Sequence, residues 1–119
     1  MIFGHMGSFC LNCDALYKIE NGKLYGANHQ LIQELDKVNL VQFPDDKYEI
    51  VRTLPSEIPN QLLTGQSTNI GSYAPDAGHF YIEISQNHVK HHWYIEERNT
   101  PTYLTNFLSD LRNGMTSLN

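Results

Sequence analysis

His79-Phe80-Tyr81-Ile82-Glu83-Ile84-Ser85-Gln86-Asn87-His88-Val89-Lys90-His91-His92-Trp93-Tyr94-Ile95-Glu96-Glu97 reads as two strands around a two-residue turn. With Asn87-His88 as the turn, Ile84 faces His91, Ile82 faces Trp93 and Phe80 faces Ile95. The large aliphatic residues and Trp93 then share one face. The opposite face carries Tyr81 against Tyr94, Glu83 against His92 and Ser85 against Lys90. A slip of one residue would send each side chain to the wrong face, so the sorting itself fixes the register.

A second hairpin lies upstream. Ala15–Glu20 and Lys23–Ala27 flank Asn21-Gly22, the preferred pair for a type I′ turn. This turn sets Glu20 opposite Lys23 and Ile19 opposite Leu24, with Tyr17, Ile19 and Leu24 on one face and an opposite-charge pair at the ends. Residues 28–37 fit either period, whereas Val38–Phe43 alternates as a strand. Pro44-Asp45-Asp46 suits the first turn of a helix, which Tyr48, Val51 and Leu54 continue at helical spacing. Pro55 and Pro59 should interrupt it. A further short helical turn over Ser56–Leu63 would bury Ile58, Leu62 and Leu63. At the far end, Thr100 is placed to cap a helix that starts at Pro101. Its apolar stripe is Tyr103, Leu104, Phe107, Leu108 and Leu111. Gly114 reads as its stop, with Arg112 near its negative end.

The summed expectation is an α+β fold, an antiparallel sheet of about four or five strands built on two hairpins, packed by helices on one face. The other sheet face should stay partly exposed. The chain has 119 residues, enough for one domain and one core. Residues 15–119 are expected to form that domain. Residues 1–14 have no periodicity and read as a tail, partly vector-derived, because Gly4-His5-Met6-Gly7-Ser8 looks like a cloning remnant. Such trimming would also have removed any signal peptide.

Charge excludes several functions. The net charge is −5 and the eight basic residues are scattered. A nucleic-acid backbone or an anionic membrane surface requires clustered Lys and Arg. No apolar run approaches the roughly 20 residues of a membrane span.

Four constellations invite chemistry. Cys10-x-x-Cys13 lacks the second pair of a structural zinc site, and only His5 and His29 are at hand to complete one. The pair precedes a hairpin rather than opening a helix after a strand, which a thioredoxin-like site needs. A disulfide or free thiols fit as well. His88, His91 and His92 resemble a metal cluster, but neighbours on a strand point to opposite faces, and Glu83 offers His92 a partner. The carboxylates do not converge, and neither a nucleophile elbow nor a phosphate-binding glycine pattern is present. No metal or cofactor is therefore expected. The fourth is the face bearing Tyr81, Glu83, His92 and Tyr94, since exposed tyrosines suit protein recognition. A helix or loop that covers them is the alternative. The polar stretch of residues 64–78 is long for a loop and brings Ile70, Tyr73 and Asp76 to the same surface.

Residues 44–114 resemble a group of small bacterial proteins of unassigned function, often secreted or lipid-anchored. The resemblance lies in Lys47-Tyr48-Glu49-Ile50-Val51, Ile58-Pro59-Asn60-Gln61-Leu62-Leu63, Ile70-Gly71, Pro75-Asp76-Ala77-Gly78, Phe80-Tyr81-Ile82-Glu83-Ile84, Trp93-Tyr94-Ile95 and Pro101-x-Tyr103-Leu104. It implies an extracytoplasmic setting, whether periplasmic, secreted or lipid-anchored. Relatives of this kind often carry a Cys in the Pro-Asp loop. Here Ala74 and Ala77 flank Pro75-Asp76, so that loop disulfide is missing. The order hairpin, helix, hairpin, helix and the closing Pro-x-x-Leu helix are also similar to emfourin, an inhibitor of thermolysin-like metalloproteases. That likeness implies a loop, here Ile70–Gly78, presented to an enzyme cleft. The expected function is a non-catalytic protein-binding module. The alternatives are a small hydrolase-like enzyme using Asp76, His79, Glu83 and His92, and a structural domain that packs on a copy of itself.

Overall fold

Both hairpins form with the registers that their turns dictate. In the computed structural model, which describes residues 1–6, 14–30, 38–65, 69–70, 78–97 and 100–118, β6 (His79–Gln86) and β7 (Val89–Glu96) pair Phe80 with Ile95, Ile82 with Trp93 and Ile84 with His91. Asn87 and His88 both take left-handed backbone angles, φ 52° and 66°. A type I′ turn needs this because only that hand of turn matches the twist of the strands. β2 (Asp14–Glu20) and β3 (Lys23–Gln30) set Glu20 opposite Lys23 and Ile19 opposite Leu24 across Asn21 and Gly22. The expected end-to-end charge pair is replaced by two others: Lys18 reaches Glu20 at 3.1 Å and Lys23 reaches Asp45 at 3.2 Å.

The tail reading of the first residues is corrected. Ile2–Met6 is strand β1 and lies in the middle of the sheet, antiparallel to β2 on one side and β6 on the other. Phe3 is fully buried among the core residues. Gly4 lets the strand fit, because a Cβ there would run into the Ala15 carbonyl. The terminal amine donates to the Ile19 carbonyl at 3.1 Å, and the Ile19 amide donates to the Met1 carbonyl at 2.8 Å. The expected Val38–Phe43 strand shrinks to β4 (Val41–Gln42), and Asn69–Ile70 forms the short β5. The result is one seven-stranded mixed sheet in the order β4-β3-β2-β1-β6-β7-β5, more strands than the four or five expected. Among the described residues, only the β5–β7 pairing is parallel.

Helical segments pack on one face. Pro44 precedes α1 (Asp45–Val51), and two further short helices follow, α2 (Leu54–Glu57) and α3 (Asn60–Thr64). The prolines interrupt as expected, with Pro55 inside the first turn of α2 and Pro59 just ahead of α3. Pro101 leads into a 3-10 turn, Thr102–Leu104, and then α4 (Thr105–Leu118). Val51, Leu54, Leu62, Leu104, Phe107, Leu108, Leu111, Met115 and Leu118 meet Phe3, Tyr17, Leu24, Phe80, Ile82, Trp93 and Ile95 of the sheet in one core. Each such side chain, fully buried, contributes roughly 1.5–3 kcal/mol.

Gly114 does not end α4, which runs on to Leu118. It is a contact glycine instead: a Cβ there would sit 3.2 Å from Val51 Cγ1 and 3.8 Å from Leu54 Cδ1. Its small size lets α4 lie close to α1 and α2. Arg112 serves no helix end either. Its guanidinium lies over the Phe80 ring, 5.3 Å from the centroid.

Candidate functional site

Strand alternation carries Tyr81 and Glu83 of β6, and His92 and Tyr94 of β7, to the face away from the helices. The four do meet. Tyr81 lies 5.2 Å from Tyr94, stacks on His92 at 6.3 Å and donates its hydroxyl to Glu83 Oε1 at 2.7 Å. His92 and Tyr94 meet edge to face at 5.7 Å. Glu83 faces His92 in register, yet its carboxylate takes the Tyr81 hydroxyl. Burial first, and then the hydrogen bond to Glu83, push the Tyr81 phenol well above the ordinary tyrosine range.

The expectation of exposed paired tyrosines is corrected. Tyr81 is only 4% exposed, and Tyr94 is half-buried. With Leu16, Tyr81 forms a second apolar cluster, against which Ile2, Met6, Val38, Leu40 and Tyr94 pack. Val38 and Leu40 come from the chain leading into β4 and cover what the hairpin alone would leave open. Ile70, expected within the loop of residues 64–78, lies instead in a strand. It pairs with Ile95 as part of β5 and packs half-buried on the core. Tyr73 and Asp76 lie outside the described residues, as do Cys10 and Cys13. Of the alternative enzyme site, His79 stands across from Glu96 and Glu83 across from His92, with the Tyr81–Tyr94 row between them. Glu83 and His92 therefore share one row of the sheet, and His79 stands in another, beyond the Tyr81–Tyr94 row.

What this hairpin does expose is its outer half. Every residue from Ser85 to His92 is exposed, so the β6–β7 arm projects beyond the core. Val89 is the most accessible apolar side chain on it, at 54%. Among the described residues, strand β5 pairs with β7 at Tyr94 and Ile95. Among the described residues, the β7 edge from Val89 to Trp93 has no neighbouring strand on that side.

A second site lies at the opposite end of the sheet, on the helix-covered face. His5 of β1 and Glu97, just past β7, hydrogen-bond at 2.8 Å between Nε2 and Oε2. Arg112 Nη2 of α4 lies 3.9 Å from the same Glu97 oxygen. The His5 ring meets Phe80 edge-on at 5.3 Å. The backbone of Gly78 lies against this group: a Cβ there would fall 2.6 Å from His5 Nε2 and 2.8 Å from Glu97 Oε1. The Gly78 carbonyl also accepts the Glu97 amide at 3.3 Å. His5, Phe80, Glu97 and Arg112, together with Ala15, Tyr17, Met115 and Thr116, line a cleft of about 280 Å³. Sequence reasoning misses it because His5 falls in the segment read as a tail. The only available signal is the alternation of Phe3 and His5 with Ile2, Gly4 and Met6.

Among the described residues, no three His, Cys, Asp or Glu side chains are grouped to hold a metal ion. None of the described helices is long and apolar enough to cross a membrane. No family model matches the chain, and neither a curated protein nor a solved structure does.

Proposed function

We propose that the protein is a non-catalytic binding module that presents the β6–β7 arm to a protein partner. The observation that carries this reading is the exposed run Ser85–His92 combined with a β7 edge from Val89 to Trp93 that no strand among the described residues pairs. A strand edge offers a row of backbone N–H and C=O groups, and an extended peptide can add to it as a further strand. The Asn87-His88 turn sets the register of the arm, and a preformed shape lowers the entropy lost on binding. Val89 and His91 supply side-chain contacts beside that row. The extracytoplasmic setting rests on the resemblance to secreted and lipid-anchored bacterial proteins.

An inhibitor-like form of this reading is the most direct to test, because protease clefts hold extended chains. Purified protein is assayed against a thermolysin-like metalloprotease, beside a Val89→Asp/His91→Asp variant whose fold is checked by circular dichroism. Inhibition at micromolar concentration that the variant loses would support the inhibitor form. Equal inhibition by both would remove the arm from it, and no inhibition would end it. The broader reading is tested with a photo-crosslinking residue at position 89 and a control at Glu49, in extract of the native source. A discrete adduct from position 89 alone supports the arm. The same adducts from both positions, or none from either, overturn it.

A further inference from the structure

We propose that the cleft between the sheet and α4 is a binding site for a small apolar monocarboxylate, with Arg112 as its anchor. The side chains themselves set this chemistry. Ala15, Tyr17, Phe80 and Met115 give the cleft an apolar wall, and His5, Glu97, Arg112 and Thr116 give it a polar rim. Its volume of about 280 Å³ lies just below the roughly 300 Å³ at which ligand pockets usually begin, so only a small ligand fits.

The three charged or titratable groups are not equivalent. Glu97 is engaged by His5 at 2.8 Å, a full hydrogen bond. Arg112 stands 3.9 Å from Glu97, an ion pair beyond hydrogen-bond reach, and its guanidinium lies over the Phe80 ring. Among the described residues these are the contacts of its guanidinium, which leaves its planar fork of donors for a carboxylate at the cleft mouth. Phe80 fixes the height of the guanidinium, so part of the ordering cost is met before a ligand arrives. Glu97 sets the charge limit. A dianion such as phosphate would bring its second charge against Glu97, whereas a monoanion needs only the one cation present. The apolar wall then selects for a hydrocarbon or aromatic body behind the carboxylate.

The test is a titration of isotope-labelled protein with 3-phenylpropionate, followed by nuclear magnetic resonance. Its neutral counterpart 3-phenylpropanol and inorganic phosphate are run in parallel. Saturable shifts centred on His5, Phe80 and Met115 are expected with 3-phenylpropionate. Binding of the alcohol should be at least about tenfold weaker, the scale of a lost charge-assisted hydrogen bond. Arg112→Gln should weaken the carboxylate to a similar degree and leave the alcohol unchanged. Arg112 is exposed, so this variant is expected to fold. An Ala15→Leu variant fills the wall and should weaken both organic probes. Shifts that do not saturate, equal affinity for acid and alcohol, tighter binding of phosphate, or an unaffected Arg112→Gln variant would each overturn the proposal.

Discussion

The Nε2 atom of His5 lies 2.8 Å from Oε2 of Glu97, joining the first strand of the chain to the residue that follows β7. Both side chains are about three-quarters withdrawn from water, with exposures of 24% and 29%. The Gly78 backbone makes room for them. Gly78→Ala should therefore push the pair apart and destabilise the protein by about 1–3 kcal/mol, the usual scale of overpacking. Removing the obstructed ring should relieve the clash, so His5→Ala/Gly78→Ala should be less destabilised than the sum of the single changes. Urea unfolding of the four proteins checks this, and strict additivity would show that Gly78 does not act through His5.

Gly4→Val is expected to be among the most harmful changes at the N-terminus. Its Cβ would collide with the Ala15 carbonyl, and backbone cannot swing aside as a side chain can. A loss of more than about 2 kcal/mol is expected, measured by thermal or urea unfolding. An unchanged midpoint would mean that Ile2–Met6 contributes nothing as a strand.

The raised Tyr81 phenol makes stability depend on alkaline pH. Its proton is held more tightly in the folded chain than in the unfolded one, whose tyrosines titrate near about pH 10. Above that pH the native state binds more protons than the unfolded state, so stability falls as pH rises. Below it the contribution is fully present. Tyr81→Phe should flatten this alkaline slope and cost about 1–2 kcal/mol at neutral pH, through loss of the bond to Glu83. Unfolding curves between pH 7 and 11 for the two proteins decide it; parallel slopes would show that the phenol is not the group responsible.

At the arm's tip, His88 sits at φ 66° without being glycine. A left-handed angle costs an ordinary residue about 1–2 kcal/mol, of which glycine's extra unfolded-state entropy returns roughly half. His88→Gly should stabilise the protein by about 0.5–1 kcal/mol. Asn87→Gly should gain less, since Asn tolerates that region better. Equal or negative effects in a thermal melt would contradict the strain argument.

The two hairpins were legible because each is local: a two-residue turn sets the register, and alternation tells one face from the other. The inward placement of Phe80, Ile82, Trp93 and Ile95 followed directly. Strand β1 was not legible, since five residues that include Gly4 and His5 carry little pattern, and the partners that make them a strand lie far along the chain. Gly114 satisfied a local rule for helix ends, but contact with Val51 and Leu54 decided its role. Tyr81 and Tyr94 were assigned to the correct face, yet its cover by Val38 and Leu40 depends on how the chain enters β4. The His5–Glu97–Arg112 group draws on two strand ends and a helix, and no sequence spacing links them.

The central position of β1 has a consequence for synthesis on the ribosome. Ile2 emerges well before one of its partners, Glu83, which lies far along the chain. Until then the first strand has one neighbour, β2, and an open flank. Pairings between residues so far apart in sequence are slow to form. The nascent chain therefore exposes a hydrophobic strand edge until β6 is made, the interval in which a chaperone or a second nascent chain would find it.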